Sequence, residues 1–415
     1  MTALLTPPTP AAPVDTSAWA IGAPRLLAGL DTAERLDLDA HLRTHGALPG
    51  SDLELLLTLL DGSPVAGRGG AGFPLATKLR ALADGHRRVV VNGTESEPAS
   101  RKDRVLLLRT PHLVIDGAVA VAAALGTREV TVAVHDDATA SSVRAALAER
   151  RDAGRAKVRV VPGGFVSGEA RAVVRALRGG PALPTGRRTP PSAAGVLVAN
   201  VETFAQLAVL LRLGAHRFAA TGTAEEPGTT LLTVVGAVGR PGVVEIPLGT
   251  PLGIVLAAAQ AHRPQAVVVG GYHGSWLAPI PQIRLSRAGV AAAGGTLGAG
   301  VVAVVGEDSC ALGELGRVTD WLAAQSARQC GPCAFGLPAL AADVRALAAG
   351  SAAAVSDALG HARAVDGRGA CAHPDGAARF VVSAVHLLHE ETDRHREHGG
   401  CGRPVLGQLP LAAAR

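Results

Sequence analysis

The sequence predicts an α/β protein: a mostly parallel sheet with helical connections, then a small α+β unit of ubiquitin-like size, then a helical remainder. Three observations carry this reading. Between residues 88 and 213, short β-branched runs alternate with longer helical stretches, the order expected of an α/β layer. Between residues 230 and 305, four β-branched runs surround one short helical stretch. Beyond residue 308 the pattern is helical almost throughout; it holds Cys310, Cys330, Cys333 and Cys371, with Cys401 just after it.

The elements follow in order. Residues 1–20, rich in Pro, Thr and Ala, read as a disordered arm. Helical periodicity runs through 31–60, and residues 75–83 read as a helix behind a glycine-dense segment. Strand 88–91, helix 112–125, strand 129–134, helix 139–150, strand 157–161 and helices 168–177 and 201–213 come next. They place an α/β domain, with its N-terminal helices, at 21–225. The turn Gly239-Arg240-Pro241-Gly242 joins strands 230–235 and 243–246. Helix 252–260 and strands 266–269 and 301–305 complete a unit at 226–305. A helical domain at 306–400 and a tail at 401–415 close the chain.

Composition excludes several functions. A chain of 415 residues suggests roughly three domains of about 150 residues, each able to bury a core. With 48% hydrophobic and 18% charged residues it is globular rather than disordered as a whole. The formal charge of +5 is small, and no run of like charges occurs. Six Phe, three Trp and one Tyr are too few for a base-stacking surface, so no nucleic-acid partner is expected. The most apolar windows, 113–125 and 201–213, are too short to span a membrane and read as buried helices. No basic start followed by an apolar core opens the chain. Five cysteines then point to the cytoplasm and to metal or redox work rather than disulfides.

Four segments could carry chemistry. Gly67-Arg68-Gly69-Gly70-Ala71-Gly72 satisfies G-x-G-x-x-G, but helical residues precede it where a dinucleotide fingerprint needs a strand. It reads either as a tight surface turn or as an anion nest of backbone N–H groups, with Arg68 and Lys78 as cations. Strand 88–91 runs into Asn92-Gly93-Thr94-Glu95-Ser96-Glu97-Pro98 and then Ser100-Arg101-Lys102-Asp103-Arg104. A polar loop at the carboxyl end of a parallel strand is where open α/β sheets bind ligands. Asn92 offers a donor and an acceptor to a heterocycle, and Glu95 and Glu97 accept from hydroxyls; the plain alternative is a solvated acidic loop. Only three lysines occur, and Lys78 and Lys102 fall in these segments. Cys330-Gly331-Pro332-Cys333 with Cys371 suits an iron–sulfur centre better than zinc, or else the thiols are packing residues. His395, His398 and Cys401 could hold a metal or simply sit at a helix C-terminus.

Taken together, these motifs resemble the flavin- and NADH-binding subunit of respiratory NADH:quinone oxidoreductase (complex I) and its relatives in NAD-reducing hydrogenases and formate dehydrogenases. The resemblance runs in family order through residues 67–78, 92–104, Thr110-Pro111-His112, Gly168-Glu169, Ala199-Asn200-Val201-Glu202-Thr203, 236–249, 330–336 and 370–375. It implies an FMN-binding α/β domain, a β-grasp domain of the ubiquitin-like SLBB type and a C-terminal helical bundle with a 4Fe-4S cluster. Gly67, Arg68, Gly70, Phe73 and Lys78 would line the flavin phosphate and nucleotide side. Asn92, Glu95, Glu97, Gly168 and Glu169 would face the flavin, with Glu95 and Glu97 tuning its chemistry. Asn200 and Thr203 would complete the cradle, and Cys330, Cys333 and Cys371 would ligate the cluster.

The departures from the family pattern are specific. Ala327 replaces the first cysteine of Ser-Cys-Gly-x-Cys-x-Pro-Cys, so the site would hold a 3Fe-4S cluster or a 4Fe-4S cluster with its fourth iron on water, an added thiol, Cys310 or Cys401. Ala170 stands in Gly-Glu-Glu, Ser192 in Lys-Pro-Pro-Phe, Thr94 in Asn-x-Asp-Glu, and Ala81 near an expected aromatic. These positions belong largely to the NAD(H) side, so FMN contacts are better kept than NADH contacts. The resemblance implies flavin- and iron–sulfur-dependent electron transfer of the NADH dehydrogenase (quinone) type. Its partners would be ferredoxin-like or thioredoxin-like iron–sulfur subunits, peripheral on a membrane complex. A flavoprotein fed by ferredoxin, or a binding and assembly module without turnover, is the alternative.

Overall fold

The computed structural model describes residues 16–82 and 85–411. Among them ten strands form two sheets: β1 (Ala18–Ala20), β2 (Arg88–Gly93), β3 (Val130–Val134), β4 (Lys157–Val160), β5 (Val196–Asn200), β6 (Thr229–Gly236), β7 (Gly242–Pro247), β8 (Pro264–Val269), β9 (Ser275–Leu277) and β10 (Val301–Gly306).

The first sheet has the order β4-β3-β2-β5 and is parallel throughout. Its central strands are unbroken apolar runs: Val89, Val90 and Val91 of β2 are all buried, as a strand covered on both faces requires. The chain steps outward from β2 to β3 to β4, then crosses back to lay β5 on the other side of β2. The reversal makes the β2/β5 carboxyl ends a topological switch point, the crevice where such sheets take ligands. Helices Pro111–Ala124 and Val201–Ala219, containing the two most apolar windows, pack together under the sheet. Gly117 permits their contact: a Cβ there would lie 2.0 Å from the Phe204 carbonyl oxygen. Buried Asp116 is locked between Arg150, Arg212 and His41. Burial opposes its ionisation, but the His41 hydrogen bond and the two guanidinium groups hold it well below the usual carboxylate range.

Two expectations about the N-terminal part are corrected. The periodic stretch 31–60 is two helices, Leu38–His45 and Leu53–Gly62, each started by an aspartate cap, Asp37 and Asp52. The arm expected over 1–20 is ordered at its end. Ala18–Ala20 pair in parallel with β7, and the buried Glu245 carboxylate accepts the backbone N–H groups of Arg25, Leu26 and Leu27. The rest of that arm, 1–15, lies outside the described residues.

The second sheet is mixed, in the order β1-β7-β6-β10-β8-β9, with helix Leu252–Ala258 against it. Five helices follow: Ala311–Ala324, Leu337–Ala348, Ala354–Val365, His373–Leu387 and His389–His398. The first four share one core with Tyr272, Trp276 and the inner face of the second sheet. Among the described residues no single helix is long and apolar enough to cross a membrane.

Candidate functional site

Asn92 is the last residue but one of β2 and Asn200 ends β5, and the two are paired across the sheet at the switch point. The Asn92 side chain donates from Nδ2 to the Gly168 carbonyl at 2.9 Å, while its Oδ1 accepts from the Thr94 hydroxyl at 2.7 Å. Thr94 therefore sets which way the amide faces. Asn200 caps helix Val201–Ala219 by accepting from Glu202 N–H at 3.0 Å. The glycine segment lies over it: a Cβ on Gly69 would come within 3.4 Å of the Asn200 Cβ. Gly70 and Gly72 have φ of 106° and 67°, which glycine alone adopts without strain. Arg287 pins the loop from the second sheet's side, donating to the Gly67 carbonyl at 2.6 Å. Lys78 donates to the Val198 carbonyl at 3.0 Å, and burial lowers its pKa. Backbone from three loops thus meets at one sheet end, with an ammonium beside it.

Beneath this cradle is a buried charge network in which Asn200 and Glu95 were expected site residues but Lys102, Asp103 and Glu202 were not. Lys102 Nζ sits 2.8 Å from Asp103 Oδ1, 3.0 Å from Glu202 Oε2 and 3.2 Å from Asn200 Oδ1. Asp103 in turn accepts from Asn200 Nδ2 at 2.5 Å. Burial pushes the Lys102 ammonium towards neutrality, but Asp103, Glu202 and Glu95 outweigh it and hold it above its usual range. The rarity of lysine in the chain was the available signal.

Several expected ligands are occupied elsewhere. Arg68, expected on the flavin phosphate side, has a buried guanidinium that donates to the Thr229 carbonyl at 3.2 Å and lies 3.7 Å from Glu202. Thr203 accepts from the Arg68 backbone N–H at 3.0 Å and so holds the glycine loop. Glu95 accepts from the Ser100 hydroxyl and from the N–H groups of Asp103 and Arg104, which starts helix Lys102–Arg109. Glu169 does the same for helix Ala170–Leu177. Phe73 is half-exposed at the rim. The physical reason is common to the four polar side chains: each ends a helix or fixes a loop, where an unmet backbone donor or buried cation costs more than an open site gains.

Glu97 is buried and accepts from the Tyr272 N–H at 2.8 Å, joining the β2 loop to the turn after β8. Burial raises its pKa to about 7 against those hydrogen bonds. A raised carboxyl pKa gives stability that is full below the unfolded value of about 4.5 and lost as pH climbs through about 7. Urea unfolding between those pH values should therefore show a falling slope that Glu97→Gln flattens. An unchanged slope in the variant would assign it to other groups.

The second centre gathers Cys330, Cys333 and Cys371. Cys330 and Cys333 flank the start of a π-helical turn, Pro332–Gly336, and Cys371 precedes helix His373–Leu387. Cys330 and Cys371 both act on the Cys333 thiol. Backbone N–H groups face each sulfur: Ala370 and Cys333 at Cys330, Arg328 at Cys333, and His373 at Cys371. Burial opposes ionisation of Cys330, but these donors outweigh it and lower its pKa; Cys333 is pushed up to about 12 by burial. Sulfurs that face backbone N–H donors suit cluster ligation. Ser326, the residue before Ala327, donates to the Cys333 carbonyl at 3.4 Å, and Ala327 itself has no ligand atom to offer. Cys310 and Cys401, which could have supplied the fourth thiolate, instead face each other in a different group with Glu391 and His395.

A cleft of about 510 Å³ runs beside the cysteines, lined by Thr185, Arg187, Thr189, Gly369 and Ala370. Arg187 bridges it, donating to the Cys371 carbonyl and to Asp375, each at 2.6 Å. A larger cavity of about 620 Å³, around Gly126 and Arg151, contains none of the site residues.

Residues 61–209 match the Nuo51 FMN-binding domain, and residues 314–395 match the iron–sulfur binding region of NADH-ubiquinone oxidoreductase F. The chain carries the FMN-binding and the iron–sulfur binding domains of NADH dehydrogenase flavoprotein subunits. It is 29% identical to the F subunit of NADH-quinone oxidoreductase from Mycobacterium tuberculosis over 432 residues, covering 96% of each chain. Against its counterpart from Streptomyces coelicolor it is 29% identical, covering 91% of this chain and 92% of the relative. In three dimensions it is similar to a chain of an NAD+-reducing NiFe hydrogenase, at a TM-score of 0.80 and 27% identity over 94% of this chain and 69% of the other. An FMN-binding domain and an iron–sulfur region thus lie on one chain, consistent with electron transfer between them. The residues present fit both groups: a glycine-built cradle at the switch point, and three thiols that each face a backbone N–H donor.

Proposed function

We propose that this chain is the flavin-bearing electron-entry subunit of a larger redox complex. The observation that carries the proposal is the convergence of the glycine loop, Asn92, Gly168 and Asn200 on the switch point, in a chain that also assembles Cys330, Cys333 and Cys371. FMN, when bound, takes two electrons at once and the cluster accepts them singly.

In this reading Gly67, Gly70, Lys78, Asn92, Gly168 and Asn200 hold FMN. Arg68, Glu95, Glu169 and Thr203 position them, and Glu97 ties the flavin loop to the second sheet. Cys330, Cys333 and Cys371 ligate the cluster. Residues 226–305 are a β-grasp unit of the SLBB type, and 306–400 are a helical bundle that carries the cysteines. Phe335, 78% exposed two residues after Cys333, offers an apolar contact to an iron–sulfur partner subunit. The cytoplasm is the proposed compartment. The alternative of a non-catalytic module is less supported, because both cofactor sites keep their scaffolds.

An absorption spectrum after anaerobic reconstitution tests this: flavin bands with a broad iron–sulfur shoulder are expected. Protein mixed with excess FMN that then elutes free of flavin would remove the proposal's first step.

NADH is expected to be a poor donor. Ala170, Ser192 and Ala81 withhold polar contacts and stacking surface that the family supplies. Each missing polar contact costs about 1–3 kcal/mol, or about one to two decades in affinity. Flavin reduction should need millimolar NADH or a ferredoxin-type donor. Rapid bleaching by micromolar NADH in a stopped-flow trace contradicts this expectation.

A further inference from the structure

We propose that Cys310, Glu391, His395 and Cys401 form a structural zinc site that fastens the C-terminal tail to the body of the protein. Their ligand atoms all lie within 4.8 Å of one another. The site is separate from the three-cysteine centre and is not used in the proposed electron path.

The ligand set and its supports suit the metal. Zinc takes cysteine sulfur, histidine nitrogen and carboxylate oxygen in tetrahedral array. Bond lengths of about 2.3 Å to sulfur and about 2.0 Å to nitrogen, at the tetrahedral angle, place the two ligand atoms about 3.5 Å apart. Cys310 Sγ and His395 Nε2 are 3.5 Å apart. His395 donates from Nδ1 to the Ala348 carbonyl at 2.6 Å, which leaves the Nε2 lone pair directed at the thiols. That outer contact is the kind that orients a zinc-bound imidazole. Glu391 and His395 are one turn apart on helix His389–His398, so a single helix face supplies both. Glu391 Oε1 is 3.9 Å from His395 Nε2, and its other oxygen is paired with Arg403. Gly313 N–H donates to the Cys310 sulfur at 3.3 Å, at the start of helix Ala311–Ala324. Two thiolates and a carboxylate would leave the zinc site with one net negative charge, which Arg403 offsets.

Sequence spacing alone groups His395, His398 and Cys401. The structure turns His398 outward, exposed, with its Nδ1 3.2 Å from the Arg394 carbonyl. Cys310, 81 positions before Glu391, takes its place, a partner no local pattern could name.

The location explains what the metal would do. Just after Cys401, the Pro404 carbonyl accepts from Cys310 N–H at 2.8 Å. Glu314 accepts from the N–H groups of Gly407, Gln408 and Leu409, and Tyr272 donates to the Pro410 carbonyl at 2.6 Å. The tail thus runs across the joint between the second sheet and the helices. Zinc would tie its first residue to two helices.

The test uses the full chain with its cluster already assembled. Elemental analysis should find one zinc per chain beyond the iron, and Cys401→Ser should lose at least nine-tenths of it with iron and flavin contents unchanged. The cysteine is partly exposed, so this substitution spares the core. As a check that needs no variant, cobalt(II) added to the metal-stripped second site of the parent protein should give thiolate-to-cobalt charge-transfer absorption that zinc displaces. Tryptic release of the tail should quicken when zinc is removed. Zinc absent after purification in its presence, zinc retained in full by Cys401→Ser, no cobalt absorption, or a Cys310–Cys401 disulfide in mass analysis would each overturn the proposal.

Discussion

Replacing Lys102 with methionine should cost about 3–5 kcal/mol of folding stability and empty the flavin cradle. Lys102 is 3% exposed and faces Asp103, Glu202 and Asn200 at once. Its removal leaves two buried carboxylates with no ammonium between them. Burial already raises the Asp103 pKa to about 6 despite Lys102, so without the lysine this carboxyl should take up a proton at neutral pH. Asn200 would lose a donor to its Oδ1 and, once Asp103 is protonated, a charged acceptor for its Nδ2. The asparagine also caps helix Val201–Ala219 and lies against Gly69, so its displacement is transmitted to the glycine loop. Against a total stability of about 5–15 kcal/mol the effect is large. Urea unfolding measures the stability, and flavin content is read at a temperature where the variant stays folded. A variant within about 1 kcal/mol of the parent, with its flavin intact, would show that the network is not what positions the cradle.

Ala327→Cys should restore a fourth thiolate and change the cluster. Residue 327 stands where the resemblance places the first cysteine, and its neighbour Ser326 donates to the Cys333 carbonyl, so a sulfur introduced there is expected to join Cys330, Cys333 and Cys371. After anaerobic reconstitution, iron per chain should rise from about three towards four, if the parent holds the smaller cluster. Paramagnetic resonance should then move from the oxidised to the reduced protein. The added negative charge should also lower the reduction potential. If parent and variant both fail to bind iron, the cysteine centre is a packing feature and the electron path has no acceptor on this chain.

Much of this molecule is written locally in its sequence. The valine run 89–91 and the run 130–134 have the period and length of buried parallel strands, and the helical stretches after them force parallel pairing, whereas β5, behind the glycine- and proline-rich residues 179–195, is not among the strands the sequence led us to expect. Asn92 at the end of such a strand, the positive-φ glycines at 70 and 72, and the close pair Cys330 and Cys333 needed only short-range spacing to be singled out.

Other features depended on partners far away in the chain. The strand Ala18–Ala20 is three residues long with no alternation, and exists because β7 offers it an edge. Helix Lys102–Arg109 has a polar start whose cap, Glu95, lies seven residues before it across a loop. Whether Arg68 meets a phosphate or an internal carboxylate was decided by Glu202, 134 positions on. Cys310 and Cys401, both candidates for the cluster's fourth ligand, were brought by the fold to Glu391 and His395 instead. Periodicity, turn chemistry and short motifs report on backbone geometry within a few residues, and that much the sequence determined by itself. Which buried polar group satisfies which other one is a question of desolvation and contact between distant segments, and only the tertiary structure decided it.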